Sequence, residues 1–147
     1  MLEQVSILVA EDDANDIFLM RRAFERAGVQ NPVAFVRSGS EAIDYLSGSG
    51  AYAQREQHPL PGLFLLDLRM PGLDGFDVLA WLRTQHQFDT LPVVVFTSSK
   101  LQTDIDRSRD MGVYDYRVKP SSFQDLVRLL DDVRKCWLEE RIQGQNS

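Results

Sequence analysis

A chain of 147 residues, 44% hydrophobic and 26% charged, has the size of one domain and the composition of an ordinary folded protein. Its net charge of −6 opposes a phosphate backbone, which argues against a nucleic-acid partner and leaves cation binding open. No apolar run approaches the length of about 20 residues that a membrane helix needs, the single cysteine, Cys136, cannot close an internal disulfide, and the start Met1-Leu2-Glu3-Gln4-Val5 lacks the basic and apolar segments of a secretion signal. A cytoplasmic protein without membrane contact is expected.

In chain order, Val5 to Ala10 is an apolar run, and a helical pattern over about Asn15 to Ala27 closes on Gly28. Pro32 to Val36 predicts a second strand. Ser38, ahead of Gly39-Ser40-Glu41, marks the start of a helix carrying Ala42, Ile43 and Leu46. Residues 48–61, rich in Gly, Ser, Gln and Pro, predict a loop insertion that is long for a compact domain. Leu63 to Leu66 is the third strand, Phe76 to Thr84 a helix, Pro92 to Thr97 a fourth strand, Gln102 to Met111 a polar helix ending at Gly112, and Val113 to Val118 a fifth strand. Ser121 and Ser122 can cap a last helix whose Phe123, Leu126, Val127, Leu130, Val133 and Trp137 recur at three-to-four spacing. Residues 143–147 form a polar tail.

Runs such as Val93-Val94-Val95-Phe96 are apolar at successive positions, as in strands buried on both faces, and their alternation with helices predicts a parallel sheet covered on each side. The expected fold is a doubly wound α/β domain of five strands and five helices, filling residues 1–147 with its core over 4–140. In such sheets ligands gather at the carboxyl ends of the strands, where strand order reverses. Glu11, Asp12 and Asp13 follow the first strand, Asp67 the third, Thr97 and Ser98 end the fourth, and Lys119-Pro120 follow the fifth.

Neighbouring carboxylates repel one another unless a cation compensates. Oxygen-only ligands suit Mg²⁺, which binds one or two carboxylates together with a phosphate. That combination points to phosphoryl chemistry, with Asp67 as a nucleophile able to form an aspartyl-phosphate, Thr97 as a hydroxyl donor to it and Lys119 as its point-charge partner.

Four ordered motifs, Glu11-Asp12, "LLDLRMPGLDG" around Asp67, "VVFTS" with Thr97 and "YRVKP" with Tyr116 and Lys119, resemble the receiver domain of two-component response regulators. The resemblance implies a flavodoxin-like fold and a phosphoacceptor switch with slow self-dephosphorylation, rather than a turnover enzyme. By it Asp67 is the phosphoacceptor, Asp12 and Asp67 bind Mg²⁺ directly, Glu11 binds it through water, and the backbone carbonyl of Arg69 completes the ligand set. Thr97 is the switch hydroxyl, Tyr116 the aromatic that turns inward behind it, and Lys119 the salt-bridge partner of the phosphorylated site, its bond to Pro120 typically cis. The insertion and "RKCWLEERI" resemble the single-domain, phytochrome-associated regulators, which implies a sensor histidine kinase partner of the bacteriophytochrome kind. Leu129, Leu138 and Ile142, outside the helical stripe, predict a homodimer through the last helix. With no output domain expected after the receiver, a phosphorelay intermediate or a receiver-type scaffold stands as the alternative to a terminal switch.

Competing readings are weaker. A phosphatase of the haloacid-dehalogenase type needs an acid two residues after the nucleophile, where this chain has Arg69, and a nucleotide-binding module needs glycines that "AEDDAND" lacks. Asp13 is read as the cap of the first helix rather than a ligand. Asp74-Gly75 is read as a turn and helix start, His58 and His86 as surface residues, and Cys136 as a buried or interface side chain.

Overall fold

A computed structural model of the protein describes residues 5–146, and from residue 138 onward its backbone only. The strands are β1 (Ile7–Ala10), β2 (Val33–Val36), β3 (Leu63–Leu66), β4 (Val93–Thr97) and β5 (Asp115–Val118). The helices are α1 (Ala14–Arg26), α2 (Gly39–Ser47), α3 (Gly75–Arg83), α4 (Gln102–Asp110) and α5 (Phe123–Asn146). The strands form one parallel sheet in the order β2-β1-β3-β4-β5, the expected doubly wound fold.

Alternation along the strands divides the interior into two apolar layers. Leu8, Ala10, Phe64, Leu66, Val93 and Val95 face α2 and α3, meeting Ala42, Leu46, Phe76, Val78 and Leu79. Ile7, Val9, Leu63, Leu65, Val94 and Phe96 face α1 and α5, meeting Met20, Phe24, Leu126, Leu130, Val133 and Trp137. The central strands β1, β3 and β4 are buried at every position, which explains their unbroken apolar runs. β2 and β5 lie at the sheet edges and are largely half-buried.

α4 is seated differently. Its one aliphatic residue, Ile105, is half-buried, and its buried positions are the polar Asp104 and Ser108. Arg107 adds a guanidinium 4.0 Å from the centre of the Phe76 ring. Directional polar contacts therefore supply much of what apolar area supplies elsewhere.

Several expectations change. Residues 48–61 are folded onto α2. After a 3₁₀ turn at Gly50–Tyr52, the Arg55 guanidinium donates to the carbonyls of Tyr45, Leu46 and His58, capping the carboxyl end of α2. The Tyr45 hydroxyl donates to the Pro59 carbonyl, and Tyr45, Tyr52 and His58 pack ring against ring, so His58 is half-buried rather than a surface residue. α5 runs through Asn146, so the polar segment is helical as far as that residue. Phe123, at the start of the apolar stripe, is 37% exposed. Leu129 packs against the α1/α5 layer instead of lying surplus, while the side chains of Leu138 and Ile142 fall outside the described residues. Cys136 is exposed, because Val133 and Trp137 on the neighbouring turn take the inward face.

Gly75 fixes the approach of α3 to the end of β3. A Cβ there would lie 2.5 Å from the Asp67 carbonyl oxygen and 2.7 Å from the Leu68 Cα, both backbone atoms with no freedom to withdraw. Gly75→Ala is expected to destabilise the fold by about 1–3 kcal/mol, read as a lowered urea midpoint at unchanged slope; an unchanged midpoint contradicts this packing.

Candidate functional site

β1 and β3 are adjacent although β2 lies between them in sequence, so strand order reverses at this pair and their carboxyl ends open a crevice. The Asp67 amide donates to the Ala10 carbonyl and the Glu11 amide to the Val36 carbonyl, extending the ladder to the acidic residues themselves. One carboxylate oxygen from each of Glu11, Asp12 and Asp67 lies within 4.8 Å of the others. Glu11 and Asp67 are buried at 1% and 5% exposure, and Asp12 is half-buried. Three convergent oxygen donors in a partly open crevice fit a hard divalent cation.

Lys119 follows β5 but reaches across the sheet, because its amide donates to the Thr97 carbonyl and anchors the turn. Its ammonium donates to Glu11 Oε1 at 2.5 Å, Asp67 Oδ2 at 3.0 Å and Asp16 Oδ2 at 3.0 Å. Burial would pull the ammonium down, but the Glu11 hydrogen bond and the charges of Asp67 and Glu11 outweigh it, so Lys119 is held above the usual lysine range. Burial also pushes Glu11 up from 4.5 to about 7, against the lowering effects of the Lys119 hydrogen bond and the Asp13 amide. The Lys119–Pro120 bond is trans rather than cis, since there are no cis peptides among the described residues, and the lysine reaches its partners with it so.

Thr97 is fully buried at the end of β4, its Oγ1 accepting from the Ser99 amide at 3.3 Å. Tyr116, half-buried on β5, donates its hydroxyl to the Ser99 carbonyl at 2.9 Å. The Arg69 amide donates to Asp67 Oδ1 at 3.3 Å, while its guanidinium extends away to Asp104 Oδ2 on α4 at 2.5 Å. Ser99 Oγ donates to the same Asp104 oxygen at 2.6 Å.

The structure therefore brings Glu11, Asp12, Asp67 and Lys119 together and places Arg69, Thr97 and Tyr116 around them. Asp13 accepts from the Asp16 amide as the cap of α1, and Asp74 forms a capping box with Asp77 at α3, both as expected. His86 is exposed beside Asp89. Asp16 and Asp104 were not legible in the sequence: each meets its partner from a distant segment, 103 and 35 positions away. The one available signal was their place in the first turn of a helix that starts at the sheet's ligand edge.

A carboxyl raised above its unfolded value keeps a proton that the unfolded chain has released, so without metal the Glu11 contribution costs stability as pH rises from 4.5 through about 7. Lys119→Met removes the charge that limits this rise. In EDTA the variant is expected to lose about 2 kcal/mol at pH 8, below the full cost of breaking a buried pair because the site is partly open. The loss should shrink toward pH 5 as Glu11 takes up its proton. Urea midpoints at the two pH values check this; a deficit that grows toward pH 5 contradicts the assignment.

Comparison with known proteins gives the family. Residues 7–131 match the response regulator receiver domain. The chain is 37% identical to the probable methanogenesis regulatory protein FilR2 of Methanothrix harundinacea, over 90% of this chain and 83% of that one. It is 32% identical to the response regulator Rcp1 of Synechocystis, over 90% and 88%. A crystal structure of the Mn²⁺-bound form of Rcp1 superposes with a TM-score of 0.80 at 31% identity, covering 92% and 95%. The phosphorylated cyanobacterial phytochrome response regulator RcpA superposes with a TM-score of 0.84 at 34% identity, covering 92% and 94%. With residues 7–131 matching the family and its fold matched over nearly the whole length, the chain belongs to the response regulator receiver-domain family of two-component systems.

Proposed function

We propose that Asp67 is the phosphoacceptor of this response regulator and that Thr97 and Tyr116 convert its phosphorylation into a change at α4 and β5. The observation that carries the reading is the Lys119 ammonium 3.0 Å from Asp67 Oδ2 beside two further acidic residues of the crevice. An Asp67 oxygen forms the new P–O bond as the P–N bond to a kinase histidine breaks, and the electron pair leaves with the imidazole. Lys119 already stands at the carboxylate and neutralises the incoming charge. Thr97 Oγ1 accepts from Ser99 and keeps its own proton to donate to the phosphoryl group.

Asp12, Asp67 and the Arg69 carbonyl would hold Mg²⁺, with Glu11 acting through water; the cluster of three donors supports this. Mg²⁺ would supply charge neutralisation between the carboxylate and the phosphoryl oxygens. The Mn²⁺-bound form of Rcp1 supports a divalent site. Incubation with acetyl phosphate and Mg²⁺ should add one phosphoryl mass to the wild type and none to Asp67→Asn, read by intact mass spectrometry. A wild type that gains nothing, or an Asp67→Asn that gains as much, refutes the reading.

The partner is a sensor histidine kinase. Likeness to the phytochrome regulator RcpA and, at 39% identity, to the bacteriophytochrome response regulator RtBRR supports a phytochrome kinase as donor in the cytoplasm. Among the described residues no helix is long and apolar enough to cross a membrane. A homodimer through the far end of α5 completes the proposal, and truncation after Trp137, which retains that buried core residue, tests it. Sedimentation should give a dimer for the full chain and a monomer for the truncated one; equal association states oppose the dimer.

A further inference from the structure

We infer that Asp104 is a positioning residue for phosphorylation: it holds the Arg69 guanidinium on α4 while Asp67 is free and yields it to the phosphoryl group, releasing the first turn of α4. This rests on Asp67 being the phosphoacceptor and goes beyond it by naming what restrains α4 beforehand.

Arg69 stands two residues after Asp67 and is tied to it through its amide, so its guanidinium is within one side-chain length of the reacting carboxylate. It spends that reach on Asp104 instead. The partners are unequally exposed, with the Arg69 side chain 56% and the Asp104 side chain 10% accessible. The arginine can therefore leave into solvent or toward a new anion, and the aspartate cannot. A phosphoryl group brings close to two negative charges and three strong acceptor oxygens, and guanidinium geometry favours such an anion over a single carboxylate oxygen.

Once Arg69 leaves, Asp104 retains Ser99 Oγ but no cation, and a buried carboxylate without its counter-charge is unfavourable. Hydration of Asp104 requires movement of the first turn of α4. Little resists it, because the buried residues of this helix are Asp104 and Ser108, and Leu101 at its start gives no side-chain cap.

Ser99 joins the Thr97 and Tyr116 signals to Asp104. Ser99 bonds to Thr97 through its amide, to Tyr116 through its carbonyl, and to Asp104 and the Leu101 amide through its hydroxyl. A Thr97 hydroxyl drawn toward Asp67 loosens Ser99 from one side while Arg69 departs from the other. Both changes act on Asp104.

Beryllofluoride with Mg²⁺, a phosphoryl mimic, tests the coupling in the full chain, followed by fluorine NMR in wild type, Asp104→Asn, Arg69→Gln and the double variant. Asp104→Asn removes the competitor for Arg69, so beryllofluoride should bind about five- to tenfold more tightly, within the usual range of coupling between sites. In the Arg69→Gln background Asp104→Asn should change affinity less than twofold. The exposed-side variant Arg69→Gln alone guards against a folding defect in the other. Its amide signals for residues 102–108 should shift in the direction that beryllofluoride shifts them in wild type. Equal affinity of wild type and Asp104→Asn, the same gain in both backgrounds, or unmoved α4 amides in Arg69→Gln overturns the inference while leaving Asp67 as the acceptor. A wild type that binds no beryllofluoride removes the phosphoacceptor reading itself, and this one with it.

Discussion

One ammonium group holds the site together. Glu11 and Asp16, at the end of β1 and the start of α1, and Asp67, after β3, each accept a hydrogen bond from Lys119, which comes from a distant segment. Removing that cation leaves the acids at the carboxyl ends of β1 and β3 without their counter-charge, at a cost to the fold. The parallel sheet sets the spacing, and its two apolar layers secure the sheet rigidly enough to keep three acids and a lysine within bonding distance. A cation in the crevice and a phosphoryl group on Asp67 would each alter the same balance of charge.

The body of the domain and its α4 side obey different physics. α1, α2, α3 and α5 are seated by apolar area, which is nondirectional and resists graded displacement in a close-packed interior. α4 is seated by hydrogen bonds and an ion pair, which are made or broken as units. A helix of the second kind beside four of the first confines rearrangement to one face. That division suits a protein whose signal is a change of surface rather than a turnover of substrate.

Much of this was legible in the sequence for physical reasons. Strands buried on both faces must be apolar at successive positions, so Leu63 to Leu66 announced itself, and residues at the ends of such runs mark the ligand edge of the sheet. Asp67 and Thr97 were singled out that way, Lys119 by its place after the half-buried edge strand β5, and the caps Asp13 and Asp74 by local side-chain chemistry. Pairings between distant segments left no such trace. Asp16 looked like one more acid in a helix's first turn, and Asp104 like a polar residue on a polar helix, until the fold brought Lys119 and Arg69 to them. Leu129 was misplaced, and of the two readings of Cys136 the buried one fails, because a stripe of three-to-four spacing leaves the neighbours of each core position undecided; the fold turned Cys136 outward and Leu129 toward the core. His58 was misjudged because composition identifies a loop without saying what the loop packs upon.

The insertion at residues 48–61 is tied to α2 at both of its ends. Gly48 has φ +71° and lies so close to Arg55 that a Cβ would sit 2.9 Å from its guanidinium, so the end of α2 and the anchor of the loop specify one another. The Tyr45 hydroxyl fixes the far side at Pro59. Between these two tie points the chain can gain or lose residues at little entropic cost, since loop closure depends only weakly on length. Beyond them each change would uncap α2. A change of length is thus least costly at residues 53, 54, 56 and 57, because Tyr52 and His58 are held by the ring cluster and Tyr52 is tied through Glu41 and Arg37 to the Asp12 carbonyl at the acidic crevice.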